Sequence, residues 1–291
     1  MKPIVISSFY AFAPIGSEGA DRLVQDIRVR CEEHHVLGLF IVAGEGCNAT
    51  FSGSESGVSA LEEMFRDRLS REILFKRSSN DTAPFRKLVI RVRDEIVTSG
   101  CPEIPIASGA QALSPAEWHA KLEQGGVTVL DTRNDYEVEI GKFEGATDLA
   151  IENFSQFAKA AKGQHFNSSE PILMYCTGGV RCEKALPILE GLGFNNVFQL
   201  EGGILNYLEQ FPDGYYEGEC FVFDDRVAVD RYLQPTTRWA LCPLCGNPAN
   251  EPVPCGVCGQ AAKVCADCRA GGTQFCSLGC RGAARRQESG G

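Results

Sequence analysis

No stretch of this 291-residue chain is apolar for long enough to cross a bilayer. The longest apolar run, Val36 to Ala43, falls far short of the roughly 20 residues a membrane helix needs. The first residues, Met1-Lys2-Pro3-Ile4-Val5-Ile6-Ser7-Ser8, lack the apolar core of a secretory leader, so a cytoplasmic location is expected. No flavin or nicotinamide fingerprint occurs and no iron-binding triad, which leaves no recognisable redox cofactor site. A net charge of −10 argues against sequence-blind binding of nucleic acid over the whole surface. Cysteine, by contrast, is abundant: 14 residues, eight of them after position 240. In a reducing compartment such clustering points to metal or catalysis and not to disulfides.

The apolar run Pro171-Ile172-Leu173-Met174-Tyr175 reads as a buried strand, and Glu183 to Leu189 as the opening of a helix. Between them lies Cys176-Thr177-Gly178-Gly179-Val180-Arg181-Cys182. A cysteine at that junction meets a ring of backbone N–H groups and the positive end of a helix dipole, and both favour the reactive thiolate. Gly178 and Gly179 are expected to let the loop turn its amides inward. Arg181 adds a fixed positive charge beside the sulfur. Cys182 reads as packing the helix face, with resolution of an oxidised Cys176 as the other reading. Four residues separate Cys176 from Arg181, one fewer than cysteine phosphatases use to wrap a phosphate dianion. That spacing, with the Gly-Gly pair, resembles the active-site loop of rhodanese-type domains, whose cysteine holds a persulfide.

Residues 1–97 alternate strand and helix signals in the order β-α-β-β-α-β, which predicts a ferredoxin-like (acylphosphatase-like) α+β domain. Its strands are expected at Ile4-Val5-Ile6, Val36 to Val42, Cys47 to Ser52, Ile73-Leu74-Phe75 and Leu88 to Val92. Gly44 to Asn48 would form the turn of a central hairpin. Residues 98–112 read as a linker, and residues 113–215 as a rhodanese-like parallel α/β domain. Its first helix is opened by Ser114-Pro115-Ala116-Glu117, and its strands fall at Val127 to Leu130, Ile172 to Tyr175 and Val197 to Leu200. A connecting segment, 216–239, leads to a small cysteine-rich zinc-binding region and tail, 240–291.

That region carries four cysteine pairs: Cys242 with Cys245, Cys255 with Cys258, Cys265 with Cys268, and Cys276 with Cys280. Eight thiolates suit two tetrahedral Zn²⁺ ions, with an iron–sulfur cluster as the second reading. Which pairs share an ion is not set by spacing. Large apolar residues are few here, so metal is expected to supply much of the folding energy.

Val129-Leu130-Asp131-Thr132-Arg133-Asn134-Asp135-Tyr136-Glu137, followed by Gly141 to Ala146, resembles the signature that precedes the rhodanese loop, and Leu200-Glu201-Gly202-Gly203-Ile204 its closing signature. Asp131 and Arg133 are expected to pair and brace that loop. The whole order, from Pro84-Phe85-Arg86-Lys87-Leu88 through the Cys176 loop to the tail, resembles the rhodanese-related tRNA uridine hydroxylases. The resemblance implies oxygen-dependent hydroxylation of the wobble uridine in the tRNA anticodon loop to 5-hydroxyuridine, with Cys176 as the essential cysteine. A basic stretch gives the substrate a place to bind: Arg66 to Arg93 holds nine cationic and three anionic residues, a net +6. Arg86, Lys87, Arg91 and Arg93 are its candidate contacts. Two rivals stay open, a sulfurtransferase carrying persulfide on Cys176 and an inert rhodanese scaffold docking through its zinc tail.

Overall fold

The computed structural model describes all residues except 1–2, 70–71, 102, 105, 107–110, 165, 168–169, 273 and 289–291. Six of these lie in the expected linker, and Arg71 of the basic stretch lies outside the described residues as well. The N-terminal region runs β1 (Ile4–Phe12), α1 (Gly16–His34), β2 (Leu37–Ala43), β3 (Gly46–Gly53), α2 (Glu55–Leu69), β4 (Lys76–Asn80) and β5 (Leu88–Val92). The sheet order is β4-β1-β3-β2-β5, with β1, β3 and β2 antiparallel and β5 added parallel to β2. This is the expected ferredoxin-like arrangement with one additional edge strand.

Alternation along the strands gives the sheet two different faces. Phe9, Phe40 and Phe51 point to one side, where they pack with Leu23 and Ile27 of α1 and Leu61 and Phe65 of α2. Tyr10, Asn48 and Lys76 point to the other side, which carries no helix of its own domain. The edge strand β4 corrects an expectation. Ile73-Leu74-Phe75 is not a strand; Ile73 and Phe75 pack into the helix-side core, and the polar run Lys76–Asn80 pairs with β1. A polar edge needs no apolar alternation, because its hydrogen bonds to β1 hold it.

The second region is a five-stranded sheet, β6 (Ala112–Leu113), β11 (Val197–Leu200), β10 (Ile172–Tyr175), β7 (Thr128–Asp131) and β9 (Thr147–Asp148) in spatial order, parallel throughout. Separate apolar cores cover its two faces, one around Trp118, Phe143 and Tyr207, the other around Phe154, Phe157 and Leu189. Its helices include α3 (Pro115–Gln124), α4 (Asp135–Val138), α5 (Phe157–Lys162), α6 (Val180–Gly191) and α7 (Gly203–Gln210). The predicted cap forms: Ser114 and Glu117 make a reciprocal capping box at the start of α3.

Short two-stranded antiparallel sheets follow: β8 (Gly141–Phe143) with β12 (Tyr216–Gly218), and β13 (Cys220–Phe221) with β14 (Ala228–Val229). In the cysteine-rich region β15 (Ala240–Leu241) pairs β16 (Pro248–Ala249), and β17 (Pro252–Pro254) pairs β18 (Ala261–Lys263). The helices α8 (Ala266–Ala270) and α9 (Leu278–Glu288) follow.

The two larger regions are docked. Lys184 of α6 is buried between Glu45 and Glu95 of the N-terminal region, at 2.9 and 2.5 Å. Around it Phe12, Ala43 and Ile96 pack against Val180. Glu45, within the hairpin turn expected from sequence, therefore fastens the domains. No described helix is long and apolar enough to cross a membrane.

Candidate active site and metal centres

Cys176 follows the last residue of β10, at the carboxyl end of the parallel sheet where such folds place their ligands. Its sulfur accepts a 3.0 Å hydrogen bond from the backbone N–H of Gly179, and the Arg181 N–H donates to it as well. Gly179 adopts φ +104°, a conformation that strains any larger residue, and a Cβ there would also press on the Tyr10 hydroxyl at 3.0 Å. Gly178 does not take a positive φ, so the inward turn rests on Gly179 alone. Gly203 of the Leu200–Ile204 signature serves the same loop from below. A Cβ on Gly203 would lie 2.5 Å from the Cys176 carbonyl, and that carbonyl accepts instead from the Ile204 N–H at 3.0 Å.

Burial alone would push the Cys176 thiol up. A hydrogen bond from Cys182, the Arg181 charge and the two backbone N–H groups outweigh it and bring the thiol down to about 5. Cys182 is driven the other way by burial and by its neighbour's charge, so it remains a protonated donor. It packs in the core beneath α6, as read from sequence, and also touches the reactive sulfur.

Arg181 does not point freely at the sulfur. Its guanidinium forks onto Glu137 at 2.5 and 2.8 Å, and Thr177 donates to the same carboxylate at 3.3 Å. Glu137 is wholly buried, yet the Arg181 charge overcomes that burial and holds its carboxyl below the usual range. Sequence reading did not single out Glu137. The only signal was its place within the stretch that resembles the rhodanese signature.

Asp131 and Arg133 form the expected pair, at 2.6 Å with both side chains fully buried. Arg133 also donates to the Gly141 carbonyl at 2.6 Å, and the Tyr175 hydroxyl donates to Asp131 at 2.6 Å. Tyr175 precedes Cys176, so the pair anchors the strand that presents the sulfur. Arg133→Met leaves Asp131 buried and unpaired, and is expected to cost about 3–5 kcal/mol of stability. Urea unfolding measures this; a loss below about 1 kcal/mol would mean the pair is only incidental packing.

The Cys176 loop opens into a cavity of about 570 Å³. The bare face of the N-terminal sheet walls it with Tyr10, Asn48 and Lys76, and Arg91 and Arg93 also line it. Arg86 and Lys87 do not line the cavity; Arg86 pairs with Asp225 at 2.9 Å. Most other members of the basic stretch are committed on the helix side: Arg66 lies over Phe75, Arg68 pairs with Asp26, and Arg77 binds Glu55 and Glu62. The stretch is one run in sequence but several faces in space.

The eight cysteines gather into two interleaved sets, Cys242, Cys245, Cys265 and Cys268 in one, Cys255, Cys258, Cys276 and Cys280 in the other. Within each set all sulfurs lie within 4.8 Å of one another. Individual separations are 3.4 Å (Cys245 to Cys265), 3.5 Å (Cys258 to Cys276) and 3.6 Å (Cys276 to Cys280). Four sulfurs about 2.3 Å from a tetrahedral ion lie about 3.8 Å apart, so both sets fit one metal ion each. The N–H groups of Cys258, Cys276 and Val257 bring the Cys255 thiol down to about 6, toward the thiolate a metal requires.

Three family models match successive parts of the chain. Residues 4–96 match the UPF0176 acylphosphatase like domain, residues 114–210 the rhodanese-like domain, and residues 217–281 the rhodanase C-terminal domain. A protein of Bdellovibrio bacteriovorus is 40% identical over 270 residues, covering 90% of this chain and 76% of the relative. A Wolbachia pipientis protein is 37% identical (91% and 94% covered), and one from Legionella pneumophila strain Lens 41% identical (80% and 93%). All three bear the name tRNA uridine(34) hydroxylase. At this identity and coverage, the chain belongs to the tRNA uridine(34) hydroxylase family.

Proposed function

We propose that this chain hydroxylates the wobble uridine of tRNA, position 34 in the anticodon loop, to 5-hydroxyuridine, with Cys176 as the reacting group and molecular oxygen as co-substrate. One observation carries the reading beyond the family name: the thiolate faces a walled cavity shared with a second domain, lined also by Arg91 and Arg93. Its volume lies in the range of pockets that enclose small ligands. An unpaired anticodon base enters such a pocket by swinging out of its loop, with no duplex to melt, while arginines hold the flanking phosphates. Addition of the thiolate to C6 of uracil leaves C5 electron-rich; C5 takes one oxygen atom from O2 while an external two-electron donor reduces the other to water, and loss of the C5 proton as the C6–S bond breaks returns the thiolate and restores the ring. Gly179, Arg181 and Glu137 keep the sulfur ionised and the loop in place. Asp131 and Arg133 are assigned to support and not to contact substrate. Each four-cysteine set takes one Zn²⁺ with every ligand position filled, a structural centre. With tRNA as substrate, the enzyme works in the cytoplasm.

Deleting the gene is expected to remove 5-hydroxyuridine at position 34, measured by mass spectrometry of tRNA nucleosides. Wild type restores it, and the double reversal Arg91→Glu with Arg93→Glu restores only part. Unchanged 5-hydroxyuridine after deletion ends the hydroxylase reading. If the purified chain then transfers sulfur from thiosulfate, the assignment moves to a sulfurtransferase; if it does neither, to a binding module.

A further inference from the structure

Arg181 and Lys76 both bring positive charge to the Cys176 loop, but on different terms. Arg181 is bound through both terminal nitrogens to Glu137, and the buried pair carries no net charge. Lys76 comes from β4 of the other domain, 102 residues earlier, and its ammonium donates a 2.7 Å hydrogen bond to the Gly178 carbonyl. It also lies 5.3 Å from the centre of the Tyr10 ring, whose face attracts cations. Among the described residues it makes no ion pair, and it lines the cavity beside Cys176.

We propose that Lys76 supplies the unneutralised positive charge of the active site, positioning the loop through Gly178 and stabilising the Cys176 thiolate from the neighbouring domain. The Gly178 carbonyl and the Gly179 N–H belong to one planar peptide group, so holding the carbonyl toward β4 aims that N–H at the sulfur. The remaining charges around the two groups are accounted for. Glu137 is spent on Arg181, and Glu183 accepts from Tyr10 and Gln199. Cys182 stays protonated, and Glu201 acts on Lys76 only through its field. Burial pulls the Lys76 ammonium down to about 8 while the charges of Cys176 and Glu201 oppose the fall, so it is still mostly protonated at neutral pH. The rhodanese domain thus does not complete its own electrostatics.

The inference takes Cys176 as the reacting group, and its test needs neither tRNA nor turnover. The ultraviolet absorbance of the Cys176 thiolate, taken as the difference from Cys176→Ala in the full chain, is followed against pH. In Lys76→Gln, which keeps a hydrogen-bond donor but no charge, the midpoint is expected to rise by about one unit, a tenfold fall in the acid ionisation constant. Lys76→Met, lacking both, should rise further. A midpoint in Lys76→Gln equal to that of wild type overturns the proposal, whatever becomes of the hydroxylase reading.

Discussion

Cys176→Ser is expected to leave tRNA without detectable 5-hydroxyuridine, indistinguishable from deletion of the gene. The substitution keeps shape and hydrogen-bonding capacity but replaces a group that ionises near 5 with an alcohol that stays protonated. Loss of a covalent nucleophile costs about 10³-fold in rate or more. Complementation with the serine variant, read by nucleoside mass spectrometry, tests this; retention of even about a tenth of the modification would remove the thiolate from the chemistry. The same substitution has a signature in stability. In the folded protein Cys176 ionises well below the ordinary thiol range and Cys182 well above it. The pair's contribution is therefore lost as pH falls through about 5, and grows from there to the ordinary thiol range near 8.5. Above that range it declines again, because the unfolded chain ionises both thiols and the folded chain only one. Cys176→Ser should flatten the rise between pH 5 and 8.5 in urea-unfolding measurements.

Stripping metal is expected to unfold residues 240–288 while the two larger domains keep their structure. The segment has one small apolar cluster, formed around Ala249, Val264 and ligand cysteines, too little to offset the entropy of ordering the chain. Each structural zinc contributes about 10–16 kcal/mol of apparent binding energy at pH 7, most of which becomes folding energy. Elemental analysis should find two zinc ions per chain, and a strong chelator should open the tail to protease. The interleaving makes a sharper claim. Cys245→Ser with Cys268→Ser strikes one set and should leave one ion, whereas Cys245→Ser with Cys258→Ser strikes both and should leave none. Equal metal loss in the two double variants would refute the pairing.

What the sequence made legible was local. The Cys176 loop, the Ser114 capping box and the cysteine pairs are each written within a few consecutive residues, where backbone geometry fixes the outcome. The ferredoxin-like order was readable because its central strands alternate or run apolar. What stayed hidden depended on partners far along the chain. Glu137 meets Arg181 across 44 residues, Lys76 meets Gly178 across 102, and the cysteine pairs interleave rather than join neighbours. The polar edge strand β4 was missed for a related reason, since its identity comes from β1 and not from its own pattern. Arg86 and Lys87 show the reverse: adjacency to Arg91 in sequence did not carry them to the cavity wall that Arg91 and Arg93 line.

The buried Lys184, clasped by Glu45 and Glu95 beside an apolar seam, changes how this chain divides. By homology it is modular, with boundaries that look suited to cutting and recombining. Excision of the rhodanese part would uncover Val180 and Lys184 together at the foot of the reactive loop. A chimera joining the N-terminal half of one relative to the rhodanese half of another inherits a mismatched clasp unless both carboxylates and the lysine travel with it. The unit of exchange is the docked pair.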